Sequence, residues 1–251
     1  MKRPLADLIR PSTITQLVGQ DHLTGKDGIL FRAINNKIIP NMIFYGPPGV
    51  GKTSAANIIA KSCDKSIHML NATFTKTEEV KNILKDSKMQ TLDSKEIIYI
   101  DEIQNFNKKQ QQILLDYIEK GDVVLIASTT ENPYHYIYKA LLSRCFVLEF
   151  KQLNNIDIEK GIDLLKDSLI NQGYKIEIEE SALKSIAVYS DGDMRKAVNI
   201  IELILELYAE DEIVKIDDDL LKKINISKQL VYDINGDSHY DLLSAFQKSI
   251  R

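Results

Sequence analysis

The sequence predicts an α/β fold, with a five-stranded, mostly parallel sheet in residues 1–150 and a small helical domain behind it. Three observations predict it. Short apolar runs alternate with amphipathic segments five times before Phe150. The first run passes without a break into a glycine-rich loop, Gly46-Pro47-Pro48-Gly49-Val50-Gly51-Lys52-Thr53, and from there into a helix-forming stretch. After Phe150 the strand signal stops, and apolar residues recur at helical spacing. With 251 residues, 44% hydrophobic and 27% charged, the chain can bury the core of one large domain and of a smaller one.

Taken in order, the strands are expected at Met42 to Tyr45, Ile67 to Leu70, Glu96 to Ile100, Val123 to Ala127 and Cys145 to Phe150. The helices between them are expected at Gly28 to Asn36, Lys52 to Ser62, Thr77 to Ser87, Asn107 to Glu119 and Tyr136 to Ser143. The fourth carries an apolar stripe at Ile113, Leu114, Tyr117 and Ile118. Beyond a boundary near Lys151, helices are expected at Ile156 to Asn171, Glu179 to Tyr189 and Asp193 to Tyr208, then a shorter one at Asp217 to Lys223. This gives an α/β core at 1–150, a helical domain at 151–224 and the start of a further region at 225–251. The last stretch, Gly236 to Arg251, stops inside an amphipathic pattern with no C-cap glycine, as expected of a chain that continues.

The glycine-rich loop has the spacing Gly-x-x-x-x-Gly-Lys-Thr of a P-loop. Glycines let backbone N–H groups curl around a polyphosphate, Lys52 adds a point charge, and the Thr53 hydroxyl is of the type that holds Mg2+. The following helix offers its positive end. A nucleoside triphosphate is the expected guest, on Gly46, Pro47, Pro48, Gly49, Val50, Gly51, Lys52, Thr53 and Ser54.

Two carboxylates close the third strand, Ile97-Ile98-Tyr99-Ile100-Asp101-Glu102. The carboxyl end of a parallel strand is where ligands of such sheets bind, so Asp101 can order the cation while Glu102 polarises an attacking water. The fourth strand runs into Ser128-Thr129-Thr130-Glu131-Asn132-Pro133. Asn132, with Thr130 second, is the candidate to touch the γ phosphate or align the water; an Asx turn before Pro133 is the competing reading. Arg144, in Ser143-Arg144-Cys145, is either one half of a surface ion pair or a stabiliser of phosphoryl-transfer charge. Arg195 opens a long helix, where a cation opposes the dipole and calls for a compensating anion, for which a nucleotide phosphate would serve.

Composition narrows the classes. A formal net charge of -4 provides no global basic field, so any nucleic-acid contact has to be local. Lys81, Lys85 and Lys88 share one helix face and could form such a patch, or simply a solvated surface. Cys63 and Cys145 are the only cysteines and lack metal-ligand spacing, which suits reduced thiols in a cytoplasmic protein. No apolar run has membrane-spanning length.

In this order the P-loop, Ile100-Asp101-Glu102, Thr129-Thr130-Glu131-Asn132, Ser143-Arg144-Cys145 and Gly192-Asp193-Met194-Arg195 resemble an AAA+ ATPase of the clamp-loader group. Further runs sharpen the likeness: Arg10-Pro11, Val18-Gly19-Gln20-Asp21-His22-Leu23, Phe106-Asn107-Lys108-Lys109-Gln110-Gln111 and, above all, Gly236-Asp237-x-His239-Tyr240-Asp241 with Ser244-Ala245-Phe246-x-Lys248-Ser249-Ile250-Arg251. With them the whole chain resembles the replication-associated recombination protein A family, relatives of the Werner-helicase-interacting protein. The resemblance implies ATP and Mg2+ as cofactors. It also implies Lys52 and Thr53 as phosphate and metal ligands, Asp101 and Glu102 as the acid pair, Asn132 as the first sensor, Arg144 as a finger offered to a neighbouring subunit, Arg195 as a second sensor, and Val18 and Gly19 in the adenine pocket. Where the family often has His-Arg after Asp-Glu-Ile, this chain has Gln104-Asn105, so no basic contact carries over there. The implied function is ATP hydrolysis by a homo-oligomer, a tetramer, on single-stranded, forked or gapped DNA during replication, recombination and repair, at the nucleoid, with single-strand DNA-binding protein as a partner. An oligomerisation region would begin at 225–251. A clamp-loader subunit, a Holliday-junction branch-migration motor and a nucleotide-gated scaffold with little turnover are the alternatives.

Overall fold

The computed structural model describes residues 11–88, 96–210 and 212–226. They fall into two compact units, one ending at Gln152 and the other beginning at Leu153.

In the first unit, five strands form one parallel sheet: β1 Met42–Tyr45, β2 Ile67–Asn71, β3 Glu96–Asp101, β4 Val123–Thr129 and β5 Phe146–Glu149, in the order β2-β3-β4-β1-β5. The three inner strands are near-continuous Ile, Val, Leu and Phe because helices bury both faces. Ile43, Ile97, Ile98, Tyr99, Ile100 and Ile126 have no exposed surface at all. Helix Lys108–Lys120 is fixed at its start by a capping box between Asn107 and Gln110 and at its end by Gly121, left-handed at φ 72°. It packs the expected stripe inward, with Leu114 and Ile118 buried and Ile113 and Tyr117 partly so.

The order of strands explains where a site can form. All five run the same way, so the segments that follow β1, β3 and β4 emerge at one edge of the sheet. β4 lies between β3 and β1. The glycine-rich loop, the acid pair and the Ser128–Asn132 turn are therefore neighbours at the carboxyl edge, far apart as they are in sequence.

The second unit is a helical body: Asn155–Asn171, Glu180–Ser190, Met194–Leu207 and Asp218–Lys223. Side-chain caps start three of these, from Asn154, Asp193 and Asp217. Ile158, Ile162, Leu169, Ile186, Ile201 and Ile204 make its core.

Two expectations need correction. Strands do not stop at Phe150: β6 Ile176–Ile178 and β7 Val214–Ile216 pair in parallel as a two-stranded sheet. Each is three residues long, too short to show a period of two, and pairs with a partner remote in sequence. The helix expected from Tyr136 to Ser143 is instead two single turns, Pro133–Tyr136 and Lys139–Leu142, divided by extended backbone at Ile137 and Tyr138. Tyr138 N–H donates to Gln111 Oε1 at 2.7 Å, which draws this backbone amide away from a continuous helix. The Gly236–Arg251 motif lies outside the described residues, as do the side chains of Lys85 and Lys88. Among the described residues no helix is long and apolar enough to cross a membrane.

Candidate active site

Three glycines with positive φ shape the loop between β1 and helix Lys52–Ser62: Gly46 at 147°, Gly49 at 71° and Gly51 at 97°. A backbone atom blocks a side chain at the first, and at the third a side chain would have to displace a leucine methyl. A Cβ on Gly46 would lie 2.1 Å from the Phe150 carbonyl oxygen, and one on Gly51 would lie 2.6 Å from Leu17 Cδ1. The loop thus meets Phe150, just after β5, on one side and Leu17, which Val18 and Gly19 follow in the chain, on the other. The Gly46 N–H also donates to Thr129 O at 3.2 Å. Gly46→Ala is expected to cost more than about 2 kcal/mol, because φ and the clash both oppose it. A urea midpoint equal to the parent's would contradict this fit.

Lys52 is 7% exposed, and its Nζ donates to Gly46 O at 2.6 Å and Pro47 O at 2.7 Å. A buried ammonium has to find acceptors; here the loop's own carbonyls hold it across the loop. A phosphate oxygen is a stronger, charged acceptor for the same donor. Helical bonding starts with Ala55 N–H to Gly51 O at 2.9 Å, so the first-turn amides of Lys52, Thr53 and Ser54 face the loop. This is the geometry of an anion cradle.

Beside it runs a chain of hydroxyl groups. Thr53 Oγ1 lies 3.0 Å from Tyr99 Oη, which donates to Ser128 Oγ at 2.9 Å. Ser128 Oγ donates in turn to Asp101 Oδ1, which also lies 3.3 Å from Tyr99 Oη. Burial, reinforced by the Asp101 carboxylate, pushes the Tyr99 phenol well above its ordinary pKa, so it stays protonated. Neither Tyr99 nor Ser128 was among the expected site residues. The signal was present: Tyr99 stands two residues before Asp101, on the same side of β3, as the one hydroxyl in an aliphatic run.

Glu102 follows β3 with left-handed backbone, φ 54° and ψ 48°. One carboxylate oxygen, Oε2, accepts from Gln104 Nε2 at 2.5 Å and from Thr130 Oγ1 at 3.4 Å. The residues that depart from the family pattern are used internally. Gln104 ties Glu102, and Asn105 Nδ2 donates to Thr73 Oγ1 at 2.9 Å. The Gln104 Oε1 atom is buried without a hydrogen-bond partner. Asn132 caps helix Pro133–Tyr136, its Oδ1 accepting from Tyr134 N–H at 3.0 Å. The turn role thus occupies the carbonyl end of Asn132 and leaves its amide nitrogen, while Thr130 is the residue in contact with Glu102.

Each of the two candidate arginines has a setting of its own. Arg144 pairs through Nη2 with Glu119 Oε1 at 3.0 Å, both side chains about half exposed. Arg195 belongs to the second unit, exposed at the second position of helix Met194–Leu207. Asp193 caps that helix by accepting from Arg195 N–H at 2.9 Å, which supplies an anion at the dipole's positive end.

The chain is similar to known proteins along its length. Residues 42–153 match the family described as ATPase family associated with various cellular activities (AAA), and residues 172–251 match the AAA C-terminal domain. Replication-associated recombination protein A of Haemophilus influenzae is 39% identical over 99% of this chain and 56% of its own length. The chain belongs to this family of AAA ATPases. ATPase WRNIP1 of Dictyostelium discoideum is 34% identical over 99% of the chain and 30% of its own length. The RuvB Holliday junction branch migration motor of Thermotoga maritima superposes with a TM-score of 0.70 at 25% identity, over 86% of this chain and 72% of that one. The chain spans about half the length of the family members it matches, 56% of one and 59% of another.

Proposed function

We propose that the chain is the ATP-hydrolysing core of a protein that acts as an oligomer on DNA during replication, recombination and repair, at the nucleoid. The observation that carries the reading is the convergence at one sheet edge of an anion cradle, an all-oxygen pair and a carboxylate held through one of its two oxygens. The cradle would take the phosphates, with Lys52 leaving Gly46 O and Pro47 O for them. Thr53 and Asp101 offer only hard oxygen donors, the set that Mg2+ prefers over Zn2+ or copper. When bound there, Mg2+ would neutralise charge between the outer phosphates. Glu102 has one oxygen, Oε1, with which to orient and polarise water, because Gln104 and Thr130 both donate to the other. Asn132, through its amide nitrogen, and Thr130 line the same edge. We assign Val18 and Gly19 to the base, Arg195 to a nucleotide phosphate and Arg144 to the phosphates of a neighbour.

Turnover of ATP with Mg2+ tests the reading. Phosphate release by the parent chain is expected, and Lys52→Ala should lose nucleotide binding by about a hundredfold, the two charge-assisted bonds being the main loss. Tight binding without turnover by the parent in any assembly would favour a scaffold. The likeness to a branch-migration motor supports a second reading, in which four-way junctions are the substrate. Stimulation by junctions over gapped or forked DNA would select it.

A further inference from the structure

We propose that Tyr99 is a positioning residue for the divalent cation, one that sets the direction of the Thr53 hydroxyl through a relay ending at Asp101. This rests on the assignment of Thr53 and Asp101 to that cation.

The argument is a proton count. A carboxylate accepts and cannot donate, so Asp101 Oδ1 fixes the end of the chain. Ser128 donates its one hydroxyl proton to it. Ser128 Oγ can then only accept from Tyr99, which lies 2.9 Å away and spends its one proton there. Tyr99 Oη, its proton used, is left as an acceptor toward Thr53 Oγ1 at 3.0 Å. The Thr53 proton therefore points inward at Tyr99.

That direction matters to a cation. A hydroxyl ligates a metal through a lone pair, and its proton must lie elsewhere. Tyr99 and Ser128 are both fully buried, so no water replaces either partner cheaply. The relay also joins β3 and the first turn of helix Lys52–Ser62, which carry the two oxygen donors, by way of Ser128 on β4. Partners behind the metal ligands orient them in this way in many metal sites.

Binding of a fluorescent ADP analogue to the 251-residue chain, in excess Mg2+ and again in excess EDTA, tests this without turnover. The ratio of the two Kd values is the gain due to the cation. Tyr99→Phe keeps the ring and removes the relay, and is expected to cut the gain by about tenfold, with the Kd in EDTA unchanged. Ser128→Ala is expected to keep most of the gain, because Tyr99 Oη can donate directly to Asp101 Oδ1, already 3.3 Å away. A parent-like gain in Tyr99→Phe overturns the positioning role. So does a gain abolished by Ser128→Ala, which also decides the question should Tyr99→Phe fail to fold. If the parent itself shows no gain from Mg2+ while Lys52→Ala still weakens binding, the cation assignment falls, and this inference with it.

Discussion

Glu102→Gln is expected to bind ATP as tightly as the parent chain and to hydrolyse it at least about a hundredfold more slowly, the usual loss when a general base is removed. Glutamine keeps the shape of the side chain and removes its charge. The bonds around position 102 can survive the change, because the new amide carbonyl can still accept from Gln104 Nε2 and Thr130 Oγ1, which now meet Oε2. The left-handed backbone at φ 54° is a property of the turn into Ile103 and Phe106, both buried in the core, and is indifferent to an acid or an amide. Binding and chemistry should therefore separate. Nucleotide affinity by fluorescence and phosphate release under single-turnover conditions measure the two halves. Hydrolysis by Glu102→Gln at the parent rate would remove Glu102 from its role and leave Asp101 as the only carboxylate of the cluster.

How far the sequence carries depends on how local the determinants are. The P-loop was legible because strand, glycine turn and helix are consecutive, and helix Lys52–Ser62 falls where the pattern puts it. The five sheet strands were legible because inner strands buried on both faces are unbroken apolar runs. β6 and β7 were not, since three residues show no period and their pairing is decided by residues elsewhere in the second unit. The Tyr99–Ser128 contact escaped for a related reason. It joins adjacent strands through their register, with Tyr99 opposite Ile126 on β4, a relation that no spacing in the chain expresses. At Asn132 both readings were visible, and the cap that occupies Oδ1 is the one that local turn chemistry favours. For Gln104, departure from the family pattern was readable, but its hydrogen bond to Glu102 was not.

Arg144→Ala is expected to lower ATP turnover in the assembled protein by about a thousandfold, the scale of a lost arginine finger, and to do so by leaving a neighbour's site incomplete. The sheet itself argues that Arg144 serves another copy. It precedes β5, and the Arg144 carbonyl accepts from Asn41 Nδ2 at 3.5 Å, at the entry to β1. The glycine-rich loop leaves the other end of β1. Roughly 15 Å of extended chain separates Asn41 from Gly46, so Arg144 sits at the amino edge of the sheet while its own phosphate cradle sits at the carboxyl edge. Its ion pair with Glu119 is half exposed and of the kind worth little, so a phosphate from another subunit can draw it away. Lys52→Ala should fail for a different reason, since it cannot hold nucleotide. Mixed assemblies of the two variants contain interfaces that join an intact loop, from the Arg144→Ala copy, to an intact arginine, from the Lys52→Ala copy. Mixing should therefore restore part of the turnover that each variant lacks alone. Co-assembly shown by pull-down of differently tagged copies, with no phosphate release above either variant by itself, would exclude the role in trans.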